Sequence, residues 1–137
     1  MVGLVKIGPW GGRGGDPRDI VAAGVTPLRL ESIVIRGEGA VDSISFTYAG
    51  VDGVPRKAGP WGGSGGRKYK VMFGATEVIK EVSGTYGPFG GHACVVRSLT
   101  FPGGTPFSVP VQDGGRVVGF FGSSGWLLDA VGVYVHP

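Results

Sequence analysis

Asp129 follows Gly125-Trp-Leu-Leu and opens the last apolar run of the chain. An ionised carboxylate only accepts hydrogen bonds, and peptide N–H groups only donate them. A carboxylate beside free backbone amides therefore fits a group that both donates and accepts, such as a vicinal diol or a hydroxymethyl group. A neutral, hydroxyl-rich molecule would be gripped in this way. An Asp that merely caps its own turn fits the same residues equally well. The amides could come from two glycine-rich stretches, Ile7-Gly-Pro-Trp-Gly-Gly-Arg-Gly-Gly15 and Ala58-Gly-Pro-Trp-Gly-Gly-Ser-Gly-Gly66. They match at seven of nine positions, 51 residues apart. Turns almost without side chains let another molecule approach the backbone closely.

Other candidate chemistry lacks its setting. Gly62-Gly-Ser64-Gly-Gly66 contains G-x-S-x-G, but a nucleophile elbow needs a strand-to-helix turn, and no helical pattern follows. Arg13 occupies the place of Ser64 in the first copy, so the repeat itself does not call for a nucleophile. Glycine fills 29 of 137 positions, so chance matches to glycine motifs are expected. A phosphate loop also needs a following helix, and no Gly-Lys-Ser/Thr is present. His92-Ala-Cys94 is too small a set for a metal, and Cys94, the one cysteine, reads as a small buried hydrophobe. The net charge of +3 is scattered rather than striped, and Arg67-Lys-Tyr-Lys70 reads as a solvated strand end. No catalytic residue, metal, cofactor or nucleic-acid partner is expected.

The elements that must position these residues are strands. Ser43-Ile-Ser-Phe-Thr-Tyr48 alternates cleanly, with Ile44, Phe46 and Tyr48 on one face. Further runs are Leu4–Ile7, Glu31–Arg36, Tyr69–Phe73, Glu77–Val82, Ala93–Phe101, Phe107–Val111, Arg116–Phe121 and Leu127–Val135. Asp52-Gly53, Ser83-Gly84 and Asp113-Gly-Gly115 read as turns between them, as do the two glycine stretches. Gly39-Ala-Val-Asp42 repeats the pattern of Trp126-Leu-Leu-Asp129, and Tyr86-Gly-Pro-Phe-Gly-Gly91 is a weaker third glycine group. Three copies would hold about 46 residues each, which suits four strands of about 5–6 residues. One all-β domain over residues 1–137 follows, as a sandwich, barrel or prism. Met1-Val-Gly-Leu-Val-Lys6 is no signal peptide, and no stretch is long and apolar enough for a membrane span.

At this point the chain resembles the jacalin-related lectins, carbohydrate-binding plant proteins with the β-prism I fold. The resemblance rests on Gly8–Gly15, Val82-Ser-Gly-Thr-Tyr-Gly87, Val96-Arg-Ser-Leu-Thr-Phe101, Gly104-Thr-Pro-Phe-Ser108 and the end of the chain from Val118. Gly125-x-x-x-Asp129 matches the family's G-x-x-x-D motif. The resemblance implies three Greek-key sheets about a pseudo-threefold axis. It implies a primary carbohydrate site in which Gly15, Trp126 and Leu127 donate backbone N–H groups and Asp129 accepts from O4 and O6 of a hexose. It also offers a second site from Gly66, Gly39, Ala40 and Asp42, although Glu38 stands where the motif has Gly. Only Pro102-Gly103 separates Phe101 from the Gly-Thr-Pro-Phe match, so one hairpin of the third sheet is expected to be shortened.

Gly15 lies within an uncut chain, as in the mannose/glucose-specific branch and unlike the processed galactose-specific one. That branch implies a cytoplasmic, also nuclear, protein that binds mannose/glucose-type glycans and glycoproteins as a homodimer or higher homo-oligomer. The competing expectation on the same fold is a stress-response module that docks a protein partner through exposed aromatics such as Trp126.

Overall fold

The computed structural model describes residues 4–20, 25–74, 77–79, 81–98, 105–110 and 115–136. Among them are eleven strands and no helix: β1 (Val5–Gly11), β2 (Asp16–Asp19), β3 (Pro27–Gly37), β4 (Val41–Gly50), β5 (Pro55–Gly62), β6 (Arg67–Met72), β7 (Glu81–Phe89), β8 (His92–Ser98), β9 (Thr105–Pro110), β10 (Arg116–Ser124) and β11 (Leu128–His136). They form three antiparallel sheets, ordered β1-β11-β10-β2, β5-β4-β3-β6 and β8-β7-β9.

The first two sheets correspond strand for strand. β1 answers to β5, β11 to β4, β10 to β3 and β2 to β6. In the third sheet β8, β7 and β9 take the places of β4, β3 and β6. Among the described residues the counterpart of β1 and β5 is missing beside β8. The chain between β8 and β9 is residues 99–104, against 51–66 between β4 and β6. The hairpin expected to be shortened after Phe101 itself lies outside the described residues, as does the Asp113-Gly114 turn.

The core sits between the sheets. Ile44, Phe46 and Tyr48 on β4 are 0%, 1% and 2% exposed, as their alternation requires. Phe46 is the hub: its ring meets Trp61 edge-on at 5.2 Å, Phe120 at 5.1 Å and Tyr48 at 5.8 Å. Burying one such ring stabilises the fold by about 2–3 kcal/mol. On β11, Val131, Val133 and Val135 take one face and Ala130, Gly132 and Tyr134 the other, and all but the glycine are buried hydrophobics of the core. Their second face is sealed from outside. Phe121 lies across Gly132, where a Cβ would collide with its ring, and stacks 5.4 Å from Tyr134. Lys6 rests 4.3 Å over Phe121 while its ammonium pairs with Asp19 at 3.0 Å, and Tyr134 Oη donates to Asp19 Oδ1 at 2.6 Å.

The structure corrects several expected turns. Gly-Pro-Trp-Gly is not a turn in either copy: it ends β1 and β5. The register slips between Ile7 and Trp10, and between the partners of Ile44 and Phe46, so Gly-Pro bulges out of each strand. A bulge tolerates a proline, which has no N–H for the ladder. The same three glycines of each copy carry positive φ: Gly8 (100°), Gly11 (131°) and Gly15 (75°), then Gly59 (87°), Gly62 (126°) and Gly66 (76°). Ser83-Gly84 lies inside β7, paired with Ser108 and Phe107 of β9. β2 was not expected at all, because Asp16-Pro-Arg-Asp19 has no strand-forming residue. It is a short edge strand held by β10, where a proline does no harm. Asp52-Gly53 is a turn as expected. Asp52 accepts from Val54 N–H at 3.1 Å and from Arg56 at 2.8 and 2.9 Å. Arg56 and these bonds hold its carboxyl down at about 2.

Candidate functional site

With the bulges removed, each glycine loop shrinks to four residues, 12–15 and 63–66, linking β1 to β2 and β5 to β6. The first loop closes over Asp129. Gly12 N–H donates to the Asp129 backbone carbonyl at 2.8 Å. A Cβ on Gly14 would stand 2.7 Å from Asp129 Oδ2, and one on Gly15 would stand 2.7 Å from Oδ1. Gly15 also carries φ +75°, which side chains rarely adopt. Glycine is therefore required twice over, by backbone conformation and by the approach of the carboxylate.

The loop between β10 and β11 supplies the carboxylate. Gly125 N–H donates to Leu127 O at 3.0 Å, which tightens the turn. Leu128 (0% exposed) and Leu127 (9%) anchor it, whereas Trp126 is 84% exposed. Buried Ser124, next in line, accepts from Arg18 Nε at 3.0 Å, tying the loop to β2. Asp129 is 7% exposed. Burial raises its carboxyl above the ordinary value. The charge of His92 and the backbone N–H groups of Gly125 and Asp129 pull it back without cancelling that rise. The structure thus brings Gly15, Gly125, Trp126, Leu127 and Asp129 together at one end of the prism.

Gly66, Gly39, Ala40 and Asp42 are brought together in the same way. Gly63 N–H donates to Asp42 O at 2.8 Å, and Cβ atoms on Gly65 and Gly66 would stand 3.0 and 2.9 Å from Asp42 Oδ2 and Oδ1. Glu38 does not disturb this. Its N–H donates to Ala40 O at 3.2 Å, the counterpart of the Gly125 bond. Among the described residues no non-glycine has positive φ, and neither Glu38 nor Gly125 needs it. The motif's first glycine is therefore replaceable here on backbone grounds.

The two loops and the third sheet brace one another. Ala40, Leu127 and Val95 of β8 form a small buried cluster. A Cβ on Gly12 would strike the Cys94 carbonyl, one on Gly63 the Trp126 carbonyl, and one on Gly39 would lie 2.5 Å from the Phe89 ring. One side of Asp129 opens into a cleft of about 600 Å³, lined also by Gly11, Gly12, Arg13, Gly14, Gly91, His92 and Cys94. His92 was not expected here, whereas Arg13 comes with its glycine loop. Nothing in the chain links the Gly90-Gly91 turn to Asp129, and only folding places them side by side.

Ser64 lies in a loop between two strands and is exposed, so the helix that a nucleophile elbow needs is absent from its setting. Among the described residues no three His, Cys, Asp or Glu side chains are grouped to hold a metal ion. No helix among them is long and apolar enough to cross a membrane.

Comparison with known proteins agrees with this architecture. Residues 7–134 match the family model described as the jacalin-like lectin domain. Horcolin of Hordeum vulgare is 43% identical, over 97% of this chain and 97% of its own length. A mannose/glucose-specific lectin of Parkia platycephala is 35% identical over the whole chain, which covers 33% of that longer protein. The solved structure of a mannose-binding jacalin-related lectin from Ananas comosus matches 98% of both chains with 40% identity and a TM-score of 0.89. The three-sheet β-prism with its glycine loops and Gly-x-x-x-Asp turn belongs to the jacalin-like lectin family.

Proposed function

We propose that this chain binds mannose/glucose-type sugars and mannose-containing glycans at the Gly15–Asp129 site. The Asp129 carboxylate accepts from two adjacent sugar hydroxyls, and the N–H groups of Gly15, Trp126 and Leu127 donate to the same ring. The observation that carries this reading is the close packing of the glycine loop on a nearly buried, ionisable Asp129: Gly14 leaves the Oδ2 side uncovered, and Gly15, fitted between the Ser124 carbonyl and Oδ1, brings its backbone beside the carboxylate. The relatives named as mannose-binding or mannose/glucose-specific lectins support the choice of sugar. Gly66, Gly39, Ala40 and Asp42 form a second site of the same kind, supported by its matching distances. Binding to one sugar is weak, on the order of millimolar or about −4 kcal/mol. Useful avidity then comes from several sites on a homodimer or larger homo-oligomer. The cytoplasmic or nuclear location and a role in defence belong to this same proposal.

A crystal soaked in methyl α-mannoside tests it. The expected result is a hexose with O4 and O6 on Asp129 and a second on Asp42. A sugar bound only elsewhere, or none at saturating concentration, overturns it. The alternative, docking of a protein partner, draws on the 84% exposure of Trp126. It is favoured if a glycan array stays blank while Trp126→Ala releases a specific partner.

A further inference from the structure

The two sites differ in the charge around them. β2 and β6 are counterparts, each leaving its glycine loop and pairing with the strand before the Asp loop. After Gly15 comes Asp16-Pro-Arg-Asp19, whereas after Gly66 comes Arg67-Lys-Tyr-Lys70. The residue after the proposed amide donor is thus an acid in one site and a guanidinium in the other. On β2 the charges are internally satisfied: Arg18 reaches Ser124 at 3.0 Å and Asp16 at 4.0 Å, and Asp19 pairs with Lys6 at 3.0 Å. On β6 every residue is exposed, and among the described residues Arg67, Lys68 and Lys70 make no ion pair.

The register concentrates these cations at the second site. Arg67 lies opposite Gly37, whose backbone a Cβ on Gly66 would meet at 2.7 Å. Lys68 lies opposite Arg36, so two like charges face each other across neighbouring strands. Such a pair is destabilising by itself, and a bound anion relieves it. The acids at this end are Asp42 and exposed Glu38; Arg36, Arg67 and Lys68 outnumber them. The first loop has its own cation, Arg13, but it lines the cleft with His92 and Cys94, and Asp16 stands at the strand side.

We propose that the second site takes a glycan bearing an anionic group, a sulfate, phosphate or carboxylate, beside the hexose held by Asp42, while the first site takes a neutral one. This rests on the reading of Gly66 and Asp42 as a sugar site. Arg67, the residue after the proposed amide donor Gly66, donates charge-assisted hydrogen bonds to the anionic oxygens, and Lys68, on the opposite face of β6, adds to the positive field.

The test uses Asp129→Asn protein, so that only the second site is read. The probes are methyl α-mannoside and its sulfates and phosphates at O2 or O3, which leave O4 and O6 free. The expected result is binding of the best anionic probe about fivefold tighter than the neutral one at about 20 mM salt, a gap that closes at about 500 mM. Adding Arg67→Ala and Lys68→Ala, both at exposed edge positions, should bring the ratio of the two affinities to about one. Sulfate and phosphate arms identify which anion is preferred. Equal affinity for neutral and anionic probes, or a preference that survives the double substitution, overturns the inference while leaving the second site standing. If neither the neutral nor the anionic probes bind, the second site itself is wrong, and the inference falls with it.

Discussion

Asp129→Asn separates the binding role of this residue from its role in the fold. The substitution keeps the shape and removes the charge. A millimolar sugar complex is worth about −4 kcal/mol. Charge-assisted hydrogen bonds contribute about 1.5–3 kcal/mol each, and an amide retains only part of that. A loss of about 2–3 kcal/mol is therefore expected, or about 30- to 150-fold in affinity. The measurement is an NMR titration with methyl α-mannoside, following the backbone amide of Gly15, which lies in the loop over Asp129, rather than signals near Asp42. Stability should move the other way. Burial raises the Asp129 carboxyl above its ordinary 3.8, so at neutral pH its ionised form costs the fold free energy. Asparagine carries no such cost. The variant's Tm should equal or exceed that of the native protein at pH 7. Its advantage should shrink as pH falls through the folded-state value towards the unfolded one. Native affinity should fall over the same acid range, as the carboxylate is protonated. An affinity within about threefold of native would refute the claim that the charge makes the contact. A Tm lower by several degrees would refute the claim that burial of the charge is a cost.

Three further outcomes are expected. Gly15→Ala places a Cβ 2.7 Å from Asp129 Oδ1 at φ +75°, so it should abolish mannoside binding and destabilise by about 1–3 kcal/mol in urea unfolding. Phe46→Ala, which empties the hub between Trp61, Phe120 and Tyr48, should cost about 3–5 kcal/mol by the same assay; a cost below about 1 kcal/mol would mean the core is not organised around that ring. Asp52, held at about 2 by Arg56 and the Val54 N–H, has a lowered value, so its contribution is present above the unfolded 3.8 and lost as pH falls towards about 2. Asp52→Asn should flatten the acid limb of the Tm profile in that window, opposite in sign to Asp129→Asn.

What the sequence made legible follows from how local each feature is. Gly125 and Asp129 lie within one tight turn, so their spacing marks a candidate directly, although a turn-capping Asp fits it equally well and the family resemblance is what favours a site. The alternation on β4 likewise reports a buried face directly. β2 and β5 were invisible because Asp16-Pro-Arg-Asp19 has no strand-forming residue and Pro55-Arg-Lys-Ala-Gly-Pro-Trp-Gly62 has only Trp61 among strand-breaking Pro and Gly. They exist through pairing with β10 and β4, far away in the chain. Glu38 looked like a broken motif because a missing glycine suggests lost backbone freedom, yet the turn at that position does not use it. His92 beside Asp129 is a contact between sheets, which no pattern within one sheet encodes.

The three mutual supports at the site end form a closed cycle. The first sheet's glycine loop leans on the third sheet at Cys94, the third leans on the second at Gly39 through Phe89, and the second leans on the first at Trp126 through Gly63. Glycine is needed at Gly12, Gly39 and Gly63 for a neighbour's sake, not for the conformation of its own strand. The two proposed sites therefore cannot drift independently. Any side chain at Gly63, in a loop that belongs to one site, shifts the carbonyl of Trp126 in the other. Substitutions there and at Trp126 should be non-additive although 63 positions separate them in the chain.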